Sequence, residues 1–576
     1  MKKLYTGIAA AALAATGLAC GTGAAHAEGA WPDQFSAQQV VPVAGATYLL
    51  GSYDTGQQAD DGDGGTYDVT GSTLVKAVGN TVTRIDLGAN ADPAAITSHG
   101  DTVYVVGSDD ETDDAELWTV AADGTVSDPQ ALPDTGTPQK VAVSSDGRVA
   151  VAGWDSVVVM DAALEVTATM PSTGFSGIGD IAFSANGDTL RIAANDSDDT
   201  NVDLWSLSSD AGTTSPDDVT PQVLEPADGG AFASGVAVSA DGTTYVTVIN
   251  GDGSGLYAVK GAGTPAYQYL GYAQGLALSA DGSTAYVAGD SGIFAVATNK
   301  LGTYGENPNP DYYAGGDDGV NAVAVDAAGD VVIAESTYDY DTSTTSDQTL
   351  DVVSAPGAPS HVTAKRGDTW AEVSFSPSAS SGSSAWTATD PSDSDTFVAY
   401  TVTLHDTTDP TKTDIVSSDI WDPSDVELGF DDEQLIPGDA YTISVTATNG
   451  LFSSTAATST LPAYKAPAGG GHSSTPQPTN DPAPTQQPVH VTKIKAAKIK
   501  ASSKKLTLKL PGVTTAPGKV KVFDGKKLIG KAKIKDGKLV LKLKKKLHKG
   551  KHKITLKYAG SAKVAKFHES VKVKVK

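Results

Sequence analysis

The stretch Gly235–Val259, GVAVSADGTTYVTVINGDGSGLYAV, carries the pattern of three short strands. Val236 and Val238 alternate with small residues up to the Asp241-Gly242 pair. Tyr245, Val246 and Val248 return from it, and Leu256 to Val259 follow after a short acidic loop. Apolar residues at period two on both sides of an Asp-Gly dipeptide mark a β-hairpin, because glycine accepts the positive φ of a tight turn. The phrase recurs as VAVSSDGRVAVAGWDSVVVMD from Val141, IAFSANGDTLRIAAND from Ile181 and LALSADGSTAYVAGDSGIFAV from Leu276. Weaker copies start at Val41, Ile96 and Val323. Aligned on the turn, the copies place Gly45, Gly100, Gly147, Gly187, Gly242, Gly282 and Gly329 at intervals of 40 to 55 residues.

Each interval has room for four short strands with their turns. Seven such units predict an all-β fold in which residues 31–354 form a seven-bladed β-propeller. The last copy ends at Val353 with no fourth strand, while Phe35 to Val40 precede the first inner strand without a blade of their own. The economical expectation is that this N-terminal segment completes the last blade and leaves no sheet edge open. YVAG at Tyr286, IAAN at Ile192 and YVTVIN at Tyr245, each following a VAVSPDG-like turn, resemble the repeats of the YVTN family of secreted bacterial propellers. The resemblance implies the fold and says almost nothing of chemistry, since propellers host many unrelated functions.

Two further β-sandwich domains are expected. In residues 356–464, PSHVTAKRGDTWAEVSFSP from Pro359 and LIPGDAYTISVTATNG from Leu435 resemble a fibronectin type III domain. That likeness implies Tyr441 as its tyrosine-corner residue and Trp370 as a core aromatic. Residues 465–489, with six prolines between Ala466 and Pro488, read as a semi-rigid linker. From His490 to Lys576, lysine alternates with Leu, Val and Ile (KLTLKL, KLVLKLKKKL, KITLKY, KVKVK), the period of strands with one buried and one lysine-covered face. VFDGKKLIG from Val522 and KHKITLKYAG from Lys551 resemble the bacterial Ig-like repeat, although so lysine-rich a surface departs from the ordinary one.

At the N-terminus, Lys2 and Lys3, the apolar stretch from Ile8 to Leu18 and Ala25-His26-Ala27 read as a secretory signal peptide cleaved after residue 27. A lipid anchor on Cys20 is the rival, disfavoured by Gly17 at a position that calls for a branched aliphatic residue. Cleavage after residue 27 leaves no cysteine, which excludes disulfides, thiol catalysis and cysteine-ligated metals. No other run is apolar for the roughly 18–20 residues that span a bilayer. The expected location is extracellular or cell-wall associated.

The net charge of −28 conceals a split. Residues 490–576 hold 28 lysines, no arginine and three acids, a formal +25, whereas residues 28–489 carry −55. Such a field on one domain calls for an anionic partner. For a secreted protein that is a phosphate-bearing or uronic wall polymer or an anionic lipid surface. The acidic remainder of the chain is a further candidate. Nucleic acid is less apt, without arginine for bidentate contacts or many aromatics to stack bases. The candidate polyanion contacts are Lys542, Lys544, Lys545, Lys546, Lys549, Lys551 and Lys553.

In the propeller, the loops after the second strands share a face and are rich in acids. Candidate ligand-binding residues there are Tyr53, Asp54, Asp109, Asp110, Trp154, Asp155, Asp196, Asp252, Asp290, Tyr338 and Asp339. Three readings compete. The acids cap turns and confer solubility; the longer loops hold Ca²⁺, with Asp60, Asp61, Asp63, Asp113 and Asp114 as candidate ligands; or acids and aromatics hold a cationic or sugar ligand. No catalytic residue is assigned. His99 is the single histidine of the repeats, so a Ser-His-Asp arrangement lacks material. The expected function is non-catalytic binding or adhesion at the cell surface, with the basic domain as anchor. The alternative is a secreted enzyme acting on polysaccharide or another polymer, recognisable by a carboxylate pair in a propeller pocket.

Overall fold

The computed structural model describes residues 31–464 except 33, 61–65, 80, 134, 199–200, 227–230, 251–253, 290–291, 303–310, 315–318, 340–343, 368–369, 384–397, 421–427, 431–434 and 437. Beyond these it describes 497–499, 505–509, 516–524, 527–535, 538–542, 549–558 and 567–575. The segments read as signal peptide and linker therefore lie outside the described residues. The chain divides into two compact units, Met1–Ala468 and Gly469–Lys576.

Seven sheets follow one another along the first unit, one per repeat, antiparallel except where the short strand Gly212–Thr213 pairs in parallel with Val166–Pro171 in the third. The first runs Ser36–Val43, Ala46–Asp60, Thr66–Val78 and Thr81–Ile85; the fifth, built from the stretch quoted above, runs Phe232–Val238, Thr243–Ile249, Ser254–Lys260 and Ala266–Gly271. Each second strand is central, bonded to the inner strand on one side and the third strand on the other. All seven turn glycines adopt positive φ, from +58° at Gly100 to +89° at Gly329. This is the left-handed conformation that makes the dipeptide readable in the sequence.

Seven apolar clusters lie between the seven sheets. Trp118 joins Tyr48, Leu74 and Val105 between blades 1 and 2, and Trp205 joins Val159, Met170 and Ile192 between blades 3 and 4. Between blades 7 and 1, Phe35, Ala37, Leu49 and Val75 meet Ala322, Val332 and Ala334, so the ring is closed. Stability thus comes from inter-blade burial at about 25 cal/mol per Å² of apolar surface, and every blade needs both neighbours.

Closure does not follow the expected route. Ser36–Val43 is a single inner strand, paired with Ala46–Asp60 from Ser36 onward. The last blade has three strands, Gly319–Val325, Val331–Asp339 and Thr344–Val353, and Phe35 to Val40 add none to it. The ends are joined by side chains instead. The Ala37 N–H donates to Gln348 Oε1 at 2.9 Å, the Gln348 amide donates to the Glu335 carbonyl at 2.7 Å, and Asn321 Nδ2 donates to Ser36 Oγ at 3.3 Å.

The edge left by Thr344–Val353 is met by the module that follows. Val353 bridges Ser383, the Ser354 N–H donates to the Gly382 carbonyl at 2.6 Å, and the Gly357 N–H donates to the Ser380 carbonyl at 3.0 Å. Ser383 Oγ donates to Oδ2 of buried Asp351 at 2.8 Å, and Asn449 Nδ2 reaches the Ser354 carbonyl at 2.9 Å. Leu451 and Phe452 then pack on the cluster between blades 6 and 7, with the Phe452 ring 6.1 Å from that of Tyr286.

That module is a sandwich of a three-stranded and a four-stranded sheet around Val373, Tyr400, Val402, Tyr441, Ile443 and Val445. Tyr441 is buried and its hydroxyl accepts the Ile436 N–H at 3.0 Å. Trp370 is not in the core: it is 42% exposed, its indole over Gly367. The buried parity of its strand belongs to Ala371, Val373 and Phe375, so period-two alternation puts Trp370 outside.

In the second unit, seven strands form one continuous sheet, Ala497–Ile499 pairing in parallel with Phe567–Val575 and the rest antiparallel. Its described buried residues are aliphatic apart from Thr555, and include Leu506, Leu508, Val520, Val522, Leu539, Ile554, Leu556, Val571 and Val573. No described helix is long and apolar enough to cross a membrane.

Candidate functional site

The acids after the second strands are held by their own loops. Asp54 accepts the Gly56 N–H at 2.8 Å through Oδ1 and Gln34 Nε2 at 3.1 Å through Oδ2. Asp109 Oδ1 takes the N–H groups of Glu111 (2.9 Å) and Thr112 (3.0 Å), in a turn closed by Asp113 at φ +59°. Asp196 accepts Asn201 Nδ2 at 2.9 Å, and the Asp155 carboxylate lies over Gly136. These are the local side-chain-to-backbone bonds that favour Asp and Asn in turns. Arg84 stacks 4.5 Å from the centre of the Tyr53 ring and donates to its hydroxyl at 2.9 Å. Trp154 stands 62% exposed.

The candidate residues whose side chains are described are spread over blades 1 to 4. Asp61, Asp63, Asp252 and Asp290 lie outside the described residues, as do Lys544, Lys545 and Lys546; Asp60, Tyr338, Asp339 and Lys542 are placed on strands without described side chains. Among the described residues no three His, Cys, Asp or Glu side chains group to hold a metal ion. Crowding is nonetheless real in blade 2. Burial, then Asp92, Asp109 and Asp113, raise the Asp110 carboxyl above its usual range, and burial with Asp109 and Asp114 does the same to Glu116.

What does converge is the wall of the central channel. It encloses about 670 Å³ and is lined by inner-strand residues of all seven blades. Six inner strands break register near this wall, the extra residue being Gln38, Ala94, Gln139, Gly179, Ser234 or Asn321. Such bulges re-aim side chains. The opposing glycines of YLLG and YVVG leave room for them: a Cβ on Gly51 or Gly107 would sit 2.1 Å from a carbonyl oxygen across the bulge.

Several channel side chains bind the next blade. Gln39 Oε1 accepts the Ile96 N–H at 2.8 Å, Asp180 Oδ2 accepts the Val236 N–H at 2.8 Å, and Ser234 Oγ donates to the Ala273 carbonyl at 2.6 Å. Asp180 is the one carboxylate among the described lining residues and Lys140, on the neighbouring blade, the one ammonium. Burial raises the Asp180 carboxyl; the Lys140 charge and the Val236 and Ile181 amides pull the other way. Sequence reasoning passed over these positions. Their signal is the polar residue one or two places before each inner strand, as in QK-VAV, GD-IAF and QG-LAL.

In the second unit, Lys549, Lys551 and Lys553 are exposed as expected, together with Lys533, Lys538 and Lys574. The aliphatic residues between them are buried. The core register therefore fixes which side of the sheet the lysines occupy.

No protein-family model matches the chain, and no curated protein matches it. Among solved structures, it is similar to a protein from Lactobacillus plantarum at 16% identity, covering 45% of this chain and 80% of that one, with a TM-score of 0.34. A catalytically inactive variant of virginiamycin B lyase from Staphylococcus aureus, crystallised with quinupristin, is 10% identical over 55% of this chain and 95% of that one, TM-score 0.40. The β-propeller domain of the trilobed protease from Pyrococcus furiosus is 12% identical over 56% and 94%, TM-score 0.35. Likenesses this distant lend the chain no activity.

Proposed function

We propose that this chain is a secreted, non-catalytic binding protein of the cell surface. In this reading the propeller is the ligand-binding or display head, and the lysine-rich unit, taken as Ig-like, anchors it to an anionic wall polymer. The module between them, taken as fibronectin type III, belongs to the head, because it is bonded to the last blade. The observation that carries the reading is the second unit's surface: lysines exposed between buried aliphatic residues, in a region of formal charge +25. Paired-carboxylate hydrolysis, the alternative, would need two acids about 5–10 Å apart; Asp180 is the one carboxylate among the described residues lining the channel.

The test is retention of the mature chain on isolated cell wall, beside a chain ending at residue 489. The full chain is expected to sediment with the wall at low salt and to be released by about 0.5 M salt, where screening confines charge interactions to a few ångströms. Equal retention of the shorter chain, or salt-insensitive binding, would refute the anchor.

A further inference from the structure

The sheet register of the second unit reveals an order among the lysines that the sequence does not display. Among the described residues, lysine stands directly opposite lysine in eight cross-strand pairs. They assemble into three rows of three across adjacent strands: Lys498–Lys574–Lys551, Lys531–Lys521–Lys557 and Lys509–Lys538–Lys535. Lys553 opposite Lys572 lies one repeat along from the first row. Neighbouring positions in a row are about 4.8 Å apart, and successive rows on one face about 6.7 Å apart. Opposed like charges destabilise a sheet, and no described salt bridge involves Lys538, Lys551, Lys553 or Lys574, the members of these pairs whose side chains are described. The core prevents escape by slippage, since Val571 opposite Ile554 and Leu556 opposite Val522 would leave the interior with any one-residue shift.

We infer that the face carrying Lys498, Lys551, Lys553, Lys572 and Lys574 is a docking lattice for a linear phosphodiester polymer. This rests on the anchor reading above and names its ligand. A lysine ammonium binds phosphate as a point charge from any direction. The lattice has two unequal spacings, and a chain with rotatable ester bonds can bring successive charges onto both, whereas a stiff uronic chain holds its carboxylates at one. A lipid surface fits less well, because Val540 is the unit's one large exposed apolar residue among those described. Nucleic acid would find no arginine and only Phe523, Tyr558 and Phe567 in the whole region.

The experiment measures binding of the full chain to labelled poly(glycerol phosphate) across a salt series. K551Q/K574Q, which empties two places of one row, is compared with K527Q/K533Q, which removes two lysines that have no lysine opposite among the described pairs. The row variant is expected to bind about thirtyfold more weakly, and the slope of log K against log salt to fall by about 1.4. The control should change affinity less than threefold. K551R/K574R should retain binding, and amide protection in Gly550–Tyr558 should not fall in K551Q/K574Q, since repulsion has been removed. Equal losses in the row variant and the control would overturn the lattice while leaving a general charge anchor standing. Equal affinity for polygalacturonate or phosphatidylglycerol vesicles would overturn the phosphodiester assignment. A wild-type chain that the wall retains but the polymer does not bind would overturn this inference alone, and no binding to either would overturn both readings.

Discussion

At the scale of single residues, side chains of the same type do opposite things according to what surrounds them. Asp281 accepts Ser279 Oγ, Ser283 Oγ and the Ser283 N–H. The Ser283 amide first, then the two hydroxyls, hold its carboxyl down to about 2. Asp203, on the third strand of blade 4, is 4% exposed, and its Oδ1 has no hydrogen-bond partner among the described residues. Burial first, then the charge of Asp196, push it up to about 6. Because the folded pKa is raised, the folded state holds the proton more tightly. Stability tied to Asp203 is complete below the unfolded pKa of about 4 and is lost as pH rises toward 6. Asp203→Asn removes the titration. In urea unfolding, the variant is expected to gain on the parent between pH 4 and pH 7 by up to about 3 kcal/mol; a pH-independent difference would refute the assignment. The turn glycines offer a second residue-scale prediction. A Cβ at Gly242, φ +82°, meets nothing within 4 Å, so Gly242→Ala should cost about 1 kcal/mol from backbone strain alone. Gly282→Ala should cost more, because its Cβ would lie 3.1 Å from Ser239 Cβ.

At the scale of elements, local features were legible and distant ones were not. The hairpin turns could be read because turn chemistry depends on two adjacent residues: four of the seven are Asp-Gly or Asn-Gly, at Gly147, Gly187, Gly242 and Gly282, and all seven glycines show positive φ. The acidic loops were legible as turn caps for the same reason. Closure was not legible, because the Ala37 to Gln348 bond joins residues 311 apart. Nothing in Phe35 to Val40 tells whether it begins blade 1 or ends blade 7. Trp370 stands outside its module's core because strand parity, not aromatic character, decides which residues are buried there. The last blade's edge produces an element-scale prediction. Phe452→Ala, which removes a ring from the cluster between blades 6 and 7, is expected to destabilise the propeller by about 2 kcal/mol, less than for a fully buried phenylalanine. In a chain ending at residue 354, amide exchange in Thr344–Val353 should quicken far more than in Thr243–Ile249. Equal protection in the short and long chains would mean that the sandwich module is a passive neighbour.

At the scale of the molecule, the two units carry opposite charge. The acidic unit closes a seven-sheet ring around a polar channel and seals its last blade with a sandwich module. The basic unit arranges its lysines by the register of an aliphatic core. The charge split was plain in the sequence, but the ordering of the lysines into rows was not, because a lysine's opposite number depends on strand pairing and not on alternation along one strand. The central claim is that contact with the cell surface resides in the basic unit, and hydrogen exchange of the full chain with and without isolated cell wall at low salt tests it most directly. Slowed exchange is expected within residues 497–575, strongest in Gly550–Tyr558 and Phe567–Val575, with the propeller strands unchanged. Slowing confined to the inner strands of the propeller, with the lysine-rich strands unaffected, would contradict it.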